Sequence, residues 1–222
     1  MKRTAQTTVI IPTLNEEKNI GLLIKRIKRL QSDIKIIVTD DGSTDNTQAV
    51  ARSNGAEIVN RSKEKVKGIT AAVTDALKKV TTPFVVVMDA DFQHPPEKIR
   101  EIVDALKTND IVIAARRKTI GHWSMFRKAE SQIATMLARI RLGKKIDDPL
   151  SGFFGMRKEI RTATKNENVE PRCFKILFSI LKNIDVRKTK IGYVYYEFDM
   201  RKRGESKIGM KHVWYFLRNV TK

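Results

Sequence analysis

The chain is poor in cysteine, in acidic residues and in long apolar runs. Its 222 residues include one cysteine, Cys173, so no internal disulfide can form and a reducing compartment fits. Cys173 stands beside Phe174 and reads as a small buried apolar residue. No segment approaches the ~20 consecutive apolar residues that span a bilayer. The longest runs, such as Phe84–Met88, are strand-sized. The N-terminal MKRTAQTTVII has a basic start but too short an apolar stretch for a signal peptide. The chain as given is therefore expected to be soluble or peripheral, with continuation of the natural protein past Lys222 left open. There is no Walker sequence and no G-x-G-x-x-G, which takes support from a kinase or a dehydrogenase. Internal repeats, low-complexity segments and an obvious linker are also missing.

Acids are scarce relative to bases. Lys and Arg number 44 against 25 Asp and Glu, a formal charge of +19. Nucleic acid, an anionic membrane surface or anionic substrates are the usual partners of such a balance. Hydrophobic residues make up 41% of the chain, enough for the core of one globular domain or one domain with an appendage.

Residues 1–115 alternate between strand and helix patterns. Strands are expected at Thr7–Ile11, Lys35–Thr39, Glu57–Asn60, Phe84–Met88 and Asp110–Ala115. Helices are expected at Glu16–Leu30, Thr47–Ser53 and Ile69–Val80, and from Pro95 to about Lys107. This order predicts an α/β fold, an open and mostly parallel sheet with helices on both faces. Ligands of such sheets bind beyond the carboxyl ends of the strands. The polar clusters PTLNEE, TDDGSTD, DADFQ and ARRK all fall there. From residue 116 the character changes. Arg116–Lys145 contains nine Lys or Arg and one acid, Glu130, interleaved with apolar residues. That pattern suits a basic amphipathic helix on an anionic membrane, over about 122–142, or an ordinary surface helix of a basic protein. DPLSGFFGMR reads as turn and strand, Phe174–Leu181 as a buried helix, Gly192–Phe198 as a strand, and 208–220 as a second amphipathic segment.

Asp89, Asp91 and Gln93 follow the strand Phe84–Met88. In an extended chain alternate side chains share a side, so three oxygen-bearing groups would line one edge. Hard divalent cations prefer oxygen ligands, and Mg²⁺ is commonly held by one or two carboxylates plus substrate phosphates. The plainer alternative is that Asp91 or Gln93 caps the helix starting at Pro95. Asp40-Asp41-Gly42-Ser43 reads as a tight turn with Ser43 or Thr44 as helix N-cap. Its functional alternative has Asp40 accepting hydrogen bonds from a base or ribose. Pro12, Leu14 and Glu16 make a similar edge on the first strand. His94 reads as a helix-start residue.

In order and spacing, VIIPTLNEEKNI, IVTDDGSTDNT, VVMDADFQHPPE, IAAR, FRKAES, DPLSGFFGMRKE and RGESK resemble the family-2 glycosyltransferases of the GT-A fold. Nearest in likeness are the polyprenyl-phosphate sugar transferases of the archaeal dolichol-phosphate mannosyltransferase kind, through DADFQHPPE and SGFF. The resemblance covers nearly the whole chain and implies one catalytic domain over 1–222, with a donor half at 1–115 and an acceptor half at 116–222. It implies that Asp89, Asp91 and Gln93 hold Mg²⁺ or Mn²⁺ on the donor diphosphate. Pro12, Leu14, Glu16, Val38, Asp40, Lys65 and Ala90 would line the nucleotide pocket. Arg116, Arg127 and Ser131 would bind the acceptor phosphate, and Arg201 and Lys207 would close over both phosphates. The catalytic set implied is Asp91, Arg116 and Arg127. Leu14 stands where the family has a tyrosine, Arg117 stands where a tyrosine is common, and the loop around Val66 lacks a usual glycine.

The implied reaction is an inverting transfer of a hexose, mannose from GDP-mannose, onto dolichyl or another polyprenyl phosphate. Glucose from UDP-glucose is the alternative donor. Implied partners are the nucleotide sugar, the lipid phosphate, an anionic membrane surface at its cytoplasmic face, and an anchoring subunit or C-terminal membrane segment; nucleic acid is not expected. A hydroxyl acceptor would need a carboxylate base. The only adjacent acids of the second half, Asp147 and Asp148, fit a structural turn before SGFF better. A nucleic-acid-binding module would explain the charge but not the acidic strand ends. A receiver domain would not need the second half. Arg127→Ala should raise KM for the lipid phosphate more than KM for the nucleotide sugar. Equal losses in steady-state kinetics would make Arg127 structural.

Overall fold

The computed structural model describes residues 6–119, 125–143, 145–163, 171, 175–198 and 220. The elements in chain order are β1 (Thr7–Thr13), α1 (Glu17–Leu30), β2 (Ile34–Asp40), α2 (Thr47–Ser53), β3 (Glu57–Asn60), α3 (Ile69–Lys79), β4 (Phe84–Val87) and α4 (Lys98–Ala105). They continue with β5 (Ile111–Thr119), α5 (Met125–Leu142), β6 (Phe154–Arg157), α6 (Lys158–Ala163), α7 (Ile176–Lys182) and β7 (Ile191–Phe198).

The seven strands form one sheet in the order β3-β2-β1-β4-β6-β5-β7. β6 alone is reversed: it pairs antiparallel with β4 and β5, and every other pairing is parallel. The alternation of strand residues decides the layers. Val9, Ile11, Ile36, Val38, Val86, Met88, Val112 and Ala114 pack on one face with α1, α2 and α4. Ile10, Ile37, Val85, Val87, Ile111 and Ile113 pack on the other with α3 and α7. On α1, Ile20, Leu23, Ile24 and Ile27 recur at helical spacing and have no exposed surface. α5 lies outside this sandwich, joined to α7 by a small cluster that includes Ala138, Leu150 and Phe178.

Several sequence expectations need correction. β4 ends at Val87, and Met88 adds one more bond, its N–H to the Ile10 carbonyl at 3.1 Å. α4 starts at Lys98: the carbonyls of Pro95 and Pro96 accept from Lys98 and Ile99 in a turn before the helix. α2 starts at Thr47, and Asp45 rather than Ser43 or Thr44 takes the Thr47 N–H, at 3.0 Å. β5 runs on to Thr119 because β7 pairs along its whole length, so Arg116 sits inside a strand, next to a register shift. The short α6 went unanticipated, since six residues carry too little periodicity. The amphipathic segment at 208–219 lies outside the described residues, as do Cys173 and Phe174.

Gly155 lets α4 approach the sheet. A Cβ there would lie 2.5 Å from Ile102 Cγ2, 2.9 Å from Leu106 Cδ1 and 3.3 Å from the Val85 carbonyl oxygen. Gly155→Ala should destabilise the fold by about 1–3 kcal/mol through overpacking. Urea unfolding with a wild-type midpoint would show that this contact relaxes freely.

Candidate functional site

All strands but β6 point their carboxyl ends to one edge. β1 lies between β2 and β4, so the chain steps out to β2 and β3 and returns past β1, the kind of switch point where open α/β sheets bind ligands in a crevice. The loops after β1 and β2 are joined there. Asn15, in left-handed backbone at φ 53°, donates its N–H to Ser43 Oγ at 2.8 Å and accepts the Thr44 N–H on Oδ1 at 2.8 Å. The Glu16 N–H donates to Thr47 Oγ1 at 2.7 Å. Pro12 and Glu16 are half-buried here and Leu14 is exposed. The Glu16 carboxylate accepts from Asn19 Nδ2 at 2.9 Å, at the start of α1.

Asp40 does not present its carboxylate as a ready acceptor for a base or ribose. It has no exposed surface. Oδ1 accepts from the N–H groups of Gly42 (3.1 Å) and Ser43 (2.8 Å) and from Gln48 Nε2 (2.7 Å). Oδ2 accepts from Thr13 Oγ1 at 3.0 Å and from the Ser43 hydroxyl. Its work is to build the turn. Val38, expected at the pocket wall, is wholly inside the core, because the alternation of β2 turns it toward α1.

Asp41 has a partner that the sequence did not disclose. Arg61, 3% exposed, is paired with Asp41, bonded through Nε to Asp75 Oδ2 at 2.8 Å, and bonded through a terminal nitrogen to the Val66 carbonyl at 2.8 Å. Asp41 Oδ2 also takes the Gly68 N–H at 2.6 Å, and Lys67 Nζ donates to the Arg61 carbonyl. This ties the loop carrying exposed Lys63 and Lys65 to the end of β2. Removing one member of such a buried pair leaves an uncompensated charge, which costs about 3–5 kcal/mol. Burial would raise Asp75, but hydrogen bonds from Lys78 and Arg61 hold it below the usual carboxylate range.

After Met88 the chain leaves the extended form, and Phe92 adopts φ 63°. Asp89, Asp91 and Gln93 are therefore placed by a turn rather than by strand alternation. The Asp89 side chain is 39% exposed, whereas Asp91 is buried and takes the Gln93 N–H on Oδ1 at 3.1 Å. Ala90 is buried. His94 is no helix-start residue: it is buried in this turn, accepts the Asp89 N–H on Nδ1 at 3.0 Å, and stacks on Phe153 with centroids 5.1 Å apart. Burial pushes its pKa down from 6.5 to about 4, with Arg116 and Lys175 adding to the drop and Asp91 and Asp148 opposing it.

Arg116 faces the same centre. Its Nε and one terminal nitrogen hold Asp148 bidentately, both at 2.7 Å, and its N–H reaches Asp148 Oδ2 at 3.3 Å. Burial would lower the guanidinium pKa, but the Asp148 pairing raises it overall. Asp148 is in left-handed backbone at φ 47°, and the Ser151 N–H returns to its carbonyl at 3.0 Å. The Ser151 hydroxyl has the carbonyl oxygens of Ala114 (2.8 Å) and Phe153 (3.0 Å) within reach of its one proton, fastening this turn to β5. Asp147 accepts from the Tyr195 hydroxyl at 2.9 Å. Arg127 and Ser131 belong to α5 by backbone, and their side chains lie outside the described residues, as do Arg201 and Lys207 entirely.

Among the described residues no three His, Cys, Asp or Glu side chains converge as a metal cage. What is present is a half-exposed and a buried carboxylate on one turn, with an amide two residues on. A Cβ at Gly152 would come within 3.2 Å of Asp89 Oδ2, so that glycine leaves room beside the carboxylate. Hard oxygen donors in this number fit a divalent cation that completes its shell with substrate phosphate.

Comparison with known proteins identifies the family. Residues 8–162 match the model of Glycosyl transferase family 2. The chain belongs to that family. A dolichol-phosphate mannosyltransferase from Pyrococcus furiosus is 38% identical over 97% of this chain, which spans 62% of that protein's length. One from Mycosarcoma maydis is 29% identical, over 98% of this chain and 78% of its own length. Among solved structures, glucosyl-3-phosphoglycerate synthase from Mycobacterium tuberculosis, in complex with Mn²⁺, UDP and glucosyl-3-phosphoglycerate, matches with a TM-score of 0.69. It is 25% identical, with 99% of this chain and 78% of that chain covered. The architecture is the GT-A arrangement of this glycosyltransferase family.

Of the motifs within the described residues, PTLNEE, TDDGSTD, DADFQ and DPLSGFF meet at one edge of the sheet, and His94 joins the last two. Its folded pKa lies below the unfolded value, so the native state resists a proton that the unfolded chain accepts. The stability this contributes is present above pH 6.5 and is lost as the pH falls toward 4, by about 3 kcal/mol. Urea unfolding at pH 7 and pH 4.5 should show a larger loss for wild type than for His94→Asn. Equal losses would mean that His94 protonates freely in the fold.

Proposed function

We propose that this family-2 glycosyltransferase transfers a hexose, mannose from GDP-mannose, to dolichyl or another polyprenyl phosphate, with inversion at the anomeric carbon. The observation that carries the reading is the Arg116–Asp148 pair beside the Asp89–Asp91 turn. Arg116, Asp148, Asp89 and Asp91 all act electrostatically on the buried Tyr196, so the guanidinium and the carboxylates share one edge, which suits a cation-bound diphosphate. The names of the mannosyltransferase relatives support the lipid phosphate as acceptor and mannose as the sugar.

A lipid phosphate is an anion at neutral pH, so it attacks without a general base. The adjacent acids Asp147 and Asp148 accord with this: Asp148 is engaged by Arg116, and Asp147 by Tyr195. The catalytic demand is then positioning and charge compensation. Arg116, with Arg127 and Ser131 of α5, would hold the acceptor phosphate in line with the anomeric carbon. Its oxygen forms the new bond as the bond to the nucleoside diphosphate breaks, so an α-linked donor gives a β-linked product. Asp89, Asp91 and Gln93 would hold Mg²⁺ or Mn²⁺, which when bound stabilises charge on the departing diphosphate. Pro12, Leu14 and Glu16 would border the nucleotide, with Lys65, Arg201 and Lys207 closing over it. Residues 1–115 would thus serve the donor and 116–222 the acceptor.

α5 would supply the membrane contact. Ile133, Met136 and Ile140 are 59%, 62% and 66% exposed on one side, next to a cavity of about 320 Å³ edged by Gln132 and Arg139. Among the described residues no helix is long and apolar enough to cross a membrane.

The test is a panel of GDP-mannose, UDP-glucose and UDP-GlcNAc with dolichyl phosphate, with and without EDTA. Transfer from GDP-mannose, lost in EDTA and restored by Mg²⁺ or Mn²⁺, is expected. Preference for UDP-glucose would make the protein a glucosyltransferase, and DNA binding without any transfer would remove the enzyme reading. Asp91→Ala should abolish transfer while leaving the circular dichroism spectrum unchanged. Wild-type turnover in that variant would withdraw the metal assignment.

A further inference from the structure

We infer that His94 is a positioning residue: its imidazole, clamped between the donor turn and the turn before β6, holds the Asp89 backbone and so aims the Asp89 carboxylate at the donor's diphosphate and cation. The inference rests on the donor-site reading above.

The first support is where the β-ladder stops. Met88 makes the last bond toward β1, its N–H to the Ile10 carbonyl. The next amide, that of Asp89, goes to His94 Nδ1 at 3.0 Å. A side chain five residues along therefore does for the Asp89 amide what the neighbouring strand does for that of Met88. It does so where the chain must turn sharply, just ahead of Phe92 in its left-handed conformation. An amide partly withdrawn from water is stabilised by such a partner.

The second support is how the ring is held. It is 4% exposed, stacks on Phe153 at an interplanar angle of 20°, and meets Tyr196 edge-on at 6.2 Å. Pro95 biases the His94 backbone toward the extended form, which narrows the directions the ring can take. Phe153 and Gly152 belong to the turn whose Asp148 grips Arg116. A Cβ on Gly152 would approach His94 Cε1 and Asp89 Oδ2 alike, at 3.2 Å each. The imidazole is thus the piece shared between the carboxylates of the donor turn and the arginine of the acceptor side.

The third support is the division of its atoms. Nδ1 receives the Asp89 N–H, so it holds no proton to donate to the Asp89 carboxylate, whose Oδ2 is 3.7 Å away. The ring fixes the main chain of Asp89 and leaves Nδ1 out of the carboxylate's own bonding. Groups that orient a metal-binding side chain in this way typically govern metal affinity 10–100-fold.

His94→Leu keeps much of the volume but removes the acceptor, and His94→Asn places an amide oxygen near the position of Nδ1. Binding of GDP would be measured by calorimetry with and without Mn²⁺, alongside Mn²⁺ electron paramagnetic resonance. His94→Leu should weaken Mn²⁺-dependent GDP binding by about 10- to 100-fold. Binding of GDP without metal should change by less than about twofold, since the nucleotide's own contacts are untouched. His94→Asn should recover most of the loss. Wild-type metal-dependent affinity in His94→Leu would overturn the inference. So would equal losses in both variants with and without metal, because those denote packing alone. In the wild-type protein, a through-hydrogen-bond coupling between the Asp89 amide nitrogen and His94 Nδ1 should appear in ¹⁵N NMR, whatever the variants' folding. Its absence would also overturn the inference. Wild-type protein that binds neither GDP nor UDP in a metal-dependent way would instead bring down the donor-site reading, and the inference with it.

Discussion

A sheet covered on both faces leaves polar side chains almost nowhere to go but its ends. Val9, Ile10 and Ile11 are wholly buried, as are Val85 and Val86, so these strands carry apolar residues on both sides. A carboxylate within them would be desolvated without a partner. Acids therefore gather where the strands stop, and the parallel direction of β1, β2, β4 and β5 sets those stops side by side. The return of the chain past β1 turns that row of ends into a crevice. The reversed strand β6 matters for the same reason: its direction brings the turn before it, Asp148 to Phe153, to the edge where the other strands finish.

At that edge the carboxylates divide into structural and outward-facing ones. Asp40 is consumed by its own turn, and Asp41 by Arg61 and Gly68. Asp148 neutralises and orients Arg116. Asp89 keeps a side chain 39% exposed beside the space left at Gly152. The buried framework can hold several acids because each accepts hydrogen bonds from backbone or side chains already in place. This framework suits the proposed transfer, whose main demand would be to align two phosphates across an anomeric carbon.

The charge of +19 takes on a more specific sense in this arrangement. The acids sit in the floor of the crevice, while Lys63 and Lys65 are exposed on the loop after β3 and Arg139 lies on α5. An excess of basic side chains favours the approach of anions, in keeping with the anionic substrates of the proposed reaction. The exposed apolar stripe of α5 adds a surface that water solvates poorly, the one the proposal gives to the membrane.

Much of this was legible in one dimension. Period-two and period-3.6 patterns located the strands and helices of residues 1–115 to within a few residues, and the motif order PTLNEE, TDDGSTD, DADFQ and DPLSGFF named the family. Those features are local, since each depends on neighbours two to four positions away. What the tertiary structure alone decided is pairing across long separations. Arg61 with Asp41 and Asp75, Arg116 with Asp148, and His94 between Asp89 and Phe153 join residues whose spacing has no period. Asp40 turned inward and Val38 joined the core because the strand's register sets which side chains face solvent, and register is set by β1 and β3 on either side. The sequence determined which residues would stand at the strand ends. Only packing determined which of them face the crevice and which hold it open.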